Sequence, residues 1–232
     1  MDNILGIIGG MGPLASNLFY RMVIEHTQAS CDQDHINMII LNDAGMPDRT
    51  GAILSGNTAE PMARLKTDAL LLQQLGCKAI CVTCNTAHWF VHRFENELTV
   101  PVISLVRETA KEMSALHPGG KIAVLATDGT VQTGLYQEEL LSRGLTPYVP
   151  SPENQKNVMH LIYDCVKAGK PADLDALRSV CAEVESAGCD AALLACTELP
   201  IIKEEAGLSD FYTDPMQIMA KKAIEFMGKQ YV

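Results

Sequence analysis

Two cysteines stand where apolar strands run out: Cys84 in GCKAICVTCNTAH (76–88) and Cys196 in GCDAALLACTELP (188–200). Laid over one another at Gly76 and Gly188, the segments bring Cys77 onto Cys189, Ala79 onto Ala191 and Cys84 onto Cys196, a constant offset of 112 residues. A thiol at a strand end, followed by small polar residues and a helix start, meets amide donors and a helix dipole that lower its pKa. Such a group can act as nucleophile, base, metal ligand or redox centre.

Spacing separates these uses. CVTC at 81–84 is a CxxC, but structural zinc asks for a second close pair, and Cys189 and Cys196 are seven residues apart with no histidine cluster beside them. Dithiol redox chemistry needs both thiols on one side, whereas Cys81 falls inside the expected strand and alternation sends 81 and 84 to opposite faces. A Cys–His dyad is open to Cys84, because His88 lies one helical turn further on. That dyad leaves Cys196 unexplained. Two acid/base groups in matched settings suit inversion of a carbon stereocentre, where one removes a proton and its counterpart returns one from the other side.

The elements that must position these thiols are legible as alternating strands and helices. Short apolar runs occur at 4–10, 36–42, 79–84, 100–105, 121–127 and 191–196. Segments with helical spacing of apolar residues lie between them, at 14–30, 58–75, 87–96, 131–143, 156–168 and 173–187. Nearly all-apolar strands separated by helices predict an α/β fold with mostly parallel sheets covered on both faces. ILGIIGGMGP and KIAVLATDGT repeat one strand–turn–helix design at an offset of 117, close to that of the cysteines. Two pseudo-symmetric α/β lobes are therefore expected, residues 1–100 and 101–207, with a C-terminal helix within 208–232 returning to the first. Ligands of such sheets bind beyond the carboxyl ends of the strands, so a cleft between the lobes is the expected active site.

Composition limits the function classes. The chain has 232 residues, 47% hydrophobic and 20% charged, with a net charge of −10. It carries no basic stripe for nucleic acid and no run of about 18 apolar residues for a membrane. The first residues lack the pattern of a signal peptide, and eight cysteines suit a reducing compartment, so a cytoplasmic location is expected.

Six motifs in order, GGMGP, PDRT (47–50), CNTAH, LATDGT (125–130), YDCVKAG (163–169) and CTELP, resemble the aspartate/glutamate racemases that work without pyridoxal phosphate, with Glu198 in CTELP closest to the aspartate branch. The resemblance covers nearly the whole chain. It implies racemisation of an acidic amino acid, aspartate before glutamate, with no cofactor and no metal, and a homodimer is expected. It implies that Cys84 and Cys196 are the catalytic thiols, Cys84 serving the D-enantiomer and Cys196 the L-enantiomer. Arg49 would grip the side-chain carboxylate and Lys167 would be a second cation facing substrate. Asn85, Thr86, Thr127, Thr130 and Thr197 would donate to the α-carboxylate and developing enolate, and Met11 and Glu198 would also line the substrate. Two other readings stay open: a single-cysteine isomerase or decarboxylase of the same superfamily, and a bilobed amino-acid binding protein without turnover.

Overall fold

The computed structural model describes residues 3–232. It divides into two compact units, one running up to Glu108 and including Met216–Val232, the other spanning Thr109–Pro215. In the first unit β1 (Ile4–Gly9), α1 (Pro13–Glu25), β2 (Asn37–Asn42), α2 (Arg49–Ser55), α3 (Ala59–Gln74), β3 (Cys77–Val82), α4 (His88–Phe94) and β4 (Val102–Ile103) follow in order. Helix α5 (Leu105–Leu116) crosses the boundary. The second unit holds β5 (Lys121–Leu125), α6 (Asp128–Gln132), α7 (Leu135–Ser142), β6 (Thr146–Tyr148), α8 (Pro152–His160), α9 (Leu174–Ser186), β7 (Ala191–Leu194), α10 (Leu199–Ala206) and β8 (Tyr212–Thr213). Helix α11 (Pro215–Phe226) packs with the first unit.

Each unit is built on one four-stranded parallel sheet, in the orders β2-β1-β3-β4 and β6-β5-β7-β8. The order is the same once the strands of each unit are counted from its start, so the repeat seen in the sequence is a repeat of topology. Strand β1 is buried along its whole length, as a central strand covered on both faces must be, whereas β2 at the sheet edge is half exposed. In the first unit Ile4, Ile8, Leu65, Leu72, Ile80 and Phe90 form one apolar cluster; in the second, Leu125, Val158, Leu161, Val180 and Leu194 form its counterpart. Full burial of such side chains contributes about 1.5–3 kcal/mol each. Both cysteines of interest sit within these clusters.

Strands β6 and β8 have no counterpart among the expected strands. They are three and two residues long, too short for alternation to register, and β6 carries Pro147. A proline is tolerated there because β6 lies at the sheet edge, where a missing N–H need not face a neighbour. Expected strands 79–84 and 191–196 each end two residues early, at Val82 and Leu194. Among the described residues no helix is long and apolar enough to cross a membrane.

Candidate active site

The strand register places the chemistry. Ile8 pairs with Val82, and Leu125 pairs with Leu194. Cys84 and Cys196 thus each stand two residues beyond the last rung of a unit's third strand, and both are 7% exposed. The same count puts Gly10 beside the Cys84 turn and Thr127 beside that of Cys196.

In the first unit the Cys84 turn is tied to the end of β1. Gly10 N–H donates to Ser16 Oγ (2.9 Å), which lies 3.0 Å from Thr83 Oγ1. Ser16 can approach because Gly9 has no side chain: a Cβ there would lie 2.5 Å from Ser16 Oγ. Gly10 has φ +91°, the left-handed region, and any Cβ on it would strike the backbone of Asp43. Ser16 is a residue of this turn that the motifs leave out. Its signal was available, since it falls on the helix face otherwise buried through Ala15, Phe19, Met22 and Val23.

Arg49 opens α2 behind an N-cap, Asp48, whose carboxylate accepts from Gly51 N–H (2.6 Å). Its guanidinium is buried and donates to the carbonyls of Met46 (3.2 Å), Pro47 (3.0 Å) and Met11 (3.2 Å). Carbonyl dipoles steady a guanidinium but do not cancel its formal charge, which suits a carboxylate ligand. Met11 reaches this group through its carbonyl; its side chain belongs to the apolar cluster. The loop before Arg49 is fixed by Arg64, which grips Asp43 with two bonds (2.5 and 3.1 Å) and donates to Gly45 O (2.8 Å). Asn85 and Thr86 follow Cys84 and are buried.

His88 is wholly buried, with Leu105 N–H donating to its Nε2 (3.2 Å) and its Nδ1 2.9 Å from the carbonyl of Cys84. Burial first, and the neighbouring His92 second, push its pKa down to about 3. The ring is therefore neutral with both nitrogens engaged, and it is not the base of a Cys–His dyad. Cys81 is fully buried inside β3, and desolvation pushes its thiol far up, so the CxxC does not form a dithiol redox pair.

The second unit assembles a different neighbourhood. Cys196 Sγ–H donates to Glu198 Oε2 at 2.9 Å, and Thr197 Oγ1–H reaches the same oxygen at 3.3 Å. Lys167 Nζ lies 3.5 Å from Glu198 Oε1. Glu198 is 5% exposed, and those donors meet the hydrogen-bonding demand of its buried oxygens. Both oxygens of Glu198 thus have protein partners. Lys167 arrives through a π-helical stretch, Leu161–Val166, that continues α8 and closes with Lys167 N–H donating to Ile162 O (3.0 Å). Thr127 caps α6, its Oγ1 accepting from Thr130 N–H (3.4 Å) and standing 3.3 Å from Thr130 Oγ1. The expected residues thus gather as two groups: Met11, Arg49, Cys84, Asn85 and Thr86 in the first unit, and Thr127, Thr130, Lys167, Cys196, Thr197 and Glu198 in the second.

Comparison with known proteins gives this geometry its context. A family model described as Asp/Glu/hydantoin racemase matches residues 8–223. The broad specificity amino-acid racemase RacX of Bacillus subtilis is 29% identical over 224 residues, 95% of this chain and 96% of its own. The structure of Picrophilus torridus aspartate racemase superposes over 99% of this chain and 96% of its own, with a TM-score of 0.80 and 27% identity. An aspartate racemase homologue from Pyrococcus horikoshii covers 97% and is itself covered to 99%, with a TM-score of 0.77. At 24% identity that last likeness bears on the fold alone.

Proposed function

Because the chain belongs to the Asp/Glu/hydantoin racemase family, we propose that it inverts the α-carbon of an acidic amino acid, aspartate before glutamate, with two thiols and no cofactor or metal. One observation carries this reading: the two units repeat a strand end with a thiol at the same position and the same slight exposure. A binding protein has no use for that duplication, and a one-cysteine enzyme uses half of it.

In the proposed cycle Glu198 takes the proton that Cys196 donates to it, leaving a thiolate. The thiolate removes the α-proton: the C–H bond breaks, an S–H bond forms, and the electron pair passes into the enolate of the α-carboxylate. Cys84, as thiol, returns a proton to the other face of the carbon. The product is the opposite enantiomer, and the negative charge now rests on Cys84, ready for the reverse direction. Arg49 holds the side-chain carboxylate and Lys167 draws a second one. Hydroxyl and amide donors from Asn85, Thr86, Thr127, Thr130 and Thr197 stabilise the developing charge. Cys84 is assigned to the D-enantiomer and Cys196 to the L-enantiomer. The same reading has the protein act in the cytoplasm as a homodimer, which light scattering on the purified protein tests.

Incubation in deuterium oxide with each enantiomer of aspartate and glutamate is the direct test. Deuterium at the α-carbon together with the opposite enantiomer on chiral chromatography is expected, unaffected by chelators. The broad specificity in the name of RacX recommends including amino acids other than these two. Binding of aspartate without exchange would overturn the assignment in favour of a binding protein.

A further inference from the structure

We propose that His88 is a positioning residue for Cys84, holding the turn that carries the thiol against the start of α5. The inference rests on the two-thiol reading above and adds a residue to it.

The hydrogen-bond pattern fixes what His88 can do. A backbone N–H only donates, so Nε2, facing Leu105 N–H at 3.2 Å, is the unprotonated acceptor. The proton of a neutral ring then sits on Nδ1 and is donated to the Cys84 carbonyl at 2.9 Å. Taking a second proton would set Nε2–H against Leu105 N–H. The groups around the ring oppose that as well. His92 meets it edge-on at 5.9 Å between centroids, and Arg107 adds repulsion, while Glu95 favours charge but is held in a two-bond pair by Arg107 (2.6 and 2.7 Å). Through both nitrogens the side chain spans from the end of β3 to the first residue of α5, so the Cys84 carbonyl is fixed to an element other than its own.

The second unit shows what His88 replaces. Four residues after Cys196 stands Pro200, which can supply no such bridge, and there the cysteine carbonyl accepts from its own helix at Leu199 N–H (3.0 Å). Cys196 is further held through its thiol by Glu198, whereas the corresponding residue after Cys84 is Thr86. The two turns are thus the same in trace and different in fastening. His88 bridges the carbonyl of the Cys84 turn and not that of the Cys196 turn, so damage at His88 should fall on one enantiomer.

The experiment compares α-deuterium wash-in from the two enantiomers of aspartate in the parent, His88→Ala and His88→Asn. Cys84→Ser and Cys196→Ser serve as references that assign each enantiomer to its thiol. Rates are normalised to the folded fraction from urea titration. His88→Ala should slow exchange of the Cys84 enantiomer about 10–100-fold, the range that misplacement of a reacting group causes, and leave the other within about threefold. His88→Asn, whose amide N–H overlays Nδ1–H but leaves Leu105 N–H unmet, should restore part of the loss and not all of it, and the pH limbs of kcat should stay in place. Equal slowing of both enantiomers, no rescue by Asn, or loss of a pH limb would overturn the proposal. A readout independent of turnover is the 15N spectrum of His88, which should show a proton on Nδ1 and none on Nε2 from pH 5 to 9; titration in that range would also overturn it. A parent protein that exchanges neither enantiomer, with this spectrum intact, would instead refute the two-thiol reading alone.

Discussion

Replacing Glu183 by Gln should destabilise the second unit by about 2–3 kcal/mol at neutral pH, although it removes no atom of bulk. Glu183 stands on α9 and accepts four hydrogen bonds: from Tyr148 Oη–H (2.8 Å) and Ser151 N–H (2.6 Å) on Oε1, and from Ser151 Oγ–H (2.7 Å) and Asn154 Nδ2–H (2.5 Å) on Oε2. These bonds outweigh partial burial and hold its pKa down at about 2, against an ordinary 4.5. That depression is about 2.5 units, or about 3.4 kcal/mol at 1.36 kcal/mol per unit, which solvent screening at a half-buried site trims. Glutamine cannot substitute in either orientation. Its amide nitrogen must face either Ser151 N–H, which cannot accept, or Asn154 Nδ2–H, and flipping Asn154 to present its oxygen would give up the bonds that oxygen accepts from Asn157 Nδ2–H (2.8 Å) and Ser179 Oγ–H (2.8 Å). The sign follows from linkage. A carboxyl with a depressed folded pKa contributes in full above its unfolded value and loses that contribution as pH falls toward the folded value. The gap between parent and variant in urea unfolding should therefore be largest at pH 7. It should shrink by more than half between pH 5 and pH 3, because a protonated Glu183 has the same mismatch as glutamine. A gap under about 0.5 kcal/mol at pH 7, or one that does not change with pH, would refute this account. The consequence reaches the site, because these bonds seat the start of α8, whose far end delivers Lys167.

Three further outcomes are expected. Glu198→Gln removes the charged acceptor of the Cys196 thiol, and since a hydrogen bond to a charged group contributes about 1.5–3 kcal/mol, wash-in through Cys196 should fall about 10–100-fold, measured by enantiomer-resolved exchange. Arg49→Lys cannot reproduce donation to three carbonyls together with a fork for a carboxylate, so KM for aspartate should rise about 10-fold or more while kcat changes less, as steady-state kinetics will read. Gly9→Ala sets a methyl 2.5 Å from Ser16 Oγ, and overpacking of about 1–3 kcal/mol should lower the urea midpoint and the activity together.

The sequence disclosed what is periodic or repeated. Six strands, the parallel α/β plan and the equivalence of Cys84 and Cys196 follow from apolar runs and one offset, because those features are local or duplicated. What it withheld was fastening. His88 reads locally as a partner for the Cys84 thiol, but the fold brings Leu105 to its other nitrogen and turns it toward the backbone. Lys167 reads as a second cation facing substrate, but its pairing with Glu198 comes from packing between elements that no local pattern records. Strands β6 and β8 exist because the sheets offer edges to pair with, a cause outside their own residues.

The π-helical stretch at Leu161–Val166 sets the aim of Lys167 by counting. A helix advances about 100° per residue, and this wide turn takes up one residue more than an α-turn, so closing it as ordinary α-helix at unchanged chain length would swing everything after it by about that angle. The lysine would remain in the chain, identical in type and neighbours, yet point a quarter-turn or more away from Glu198. The aim of that cation is thus written in how the backbone closes one turn, and a tighter closure silences a charge that no substitution has touched.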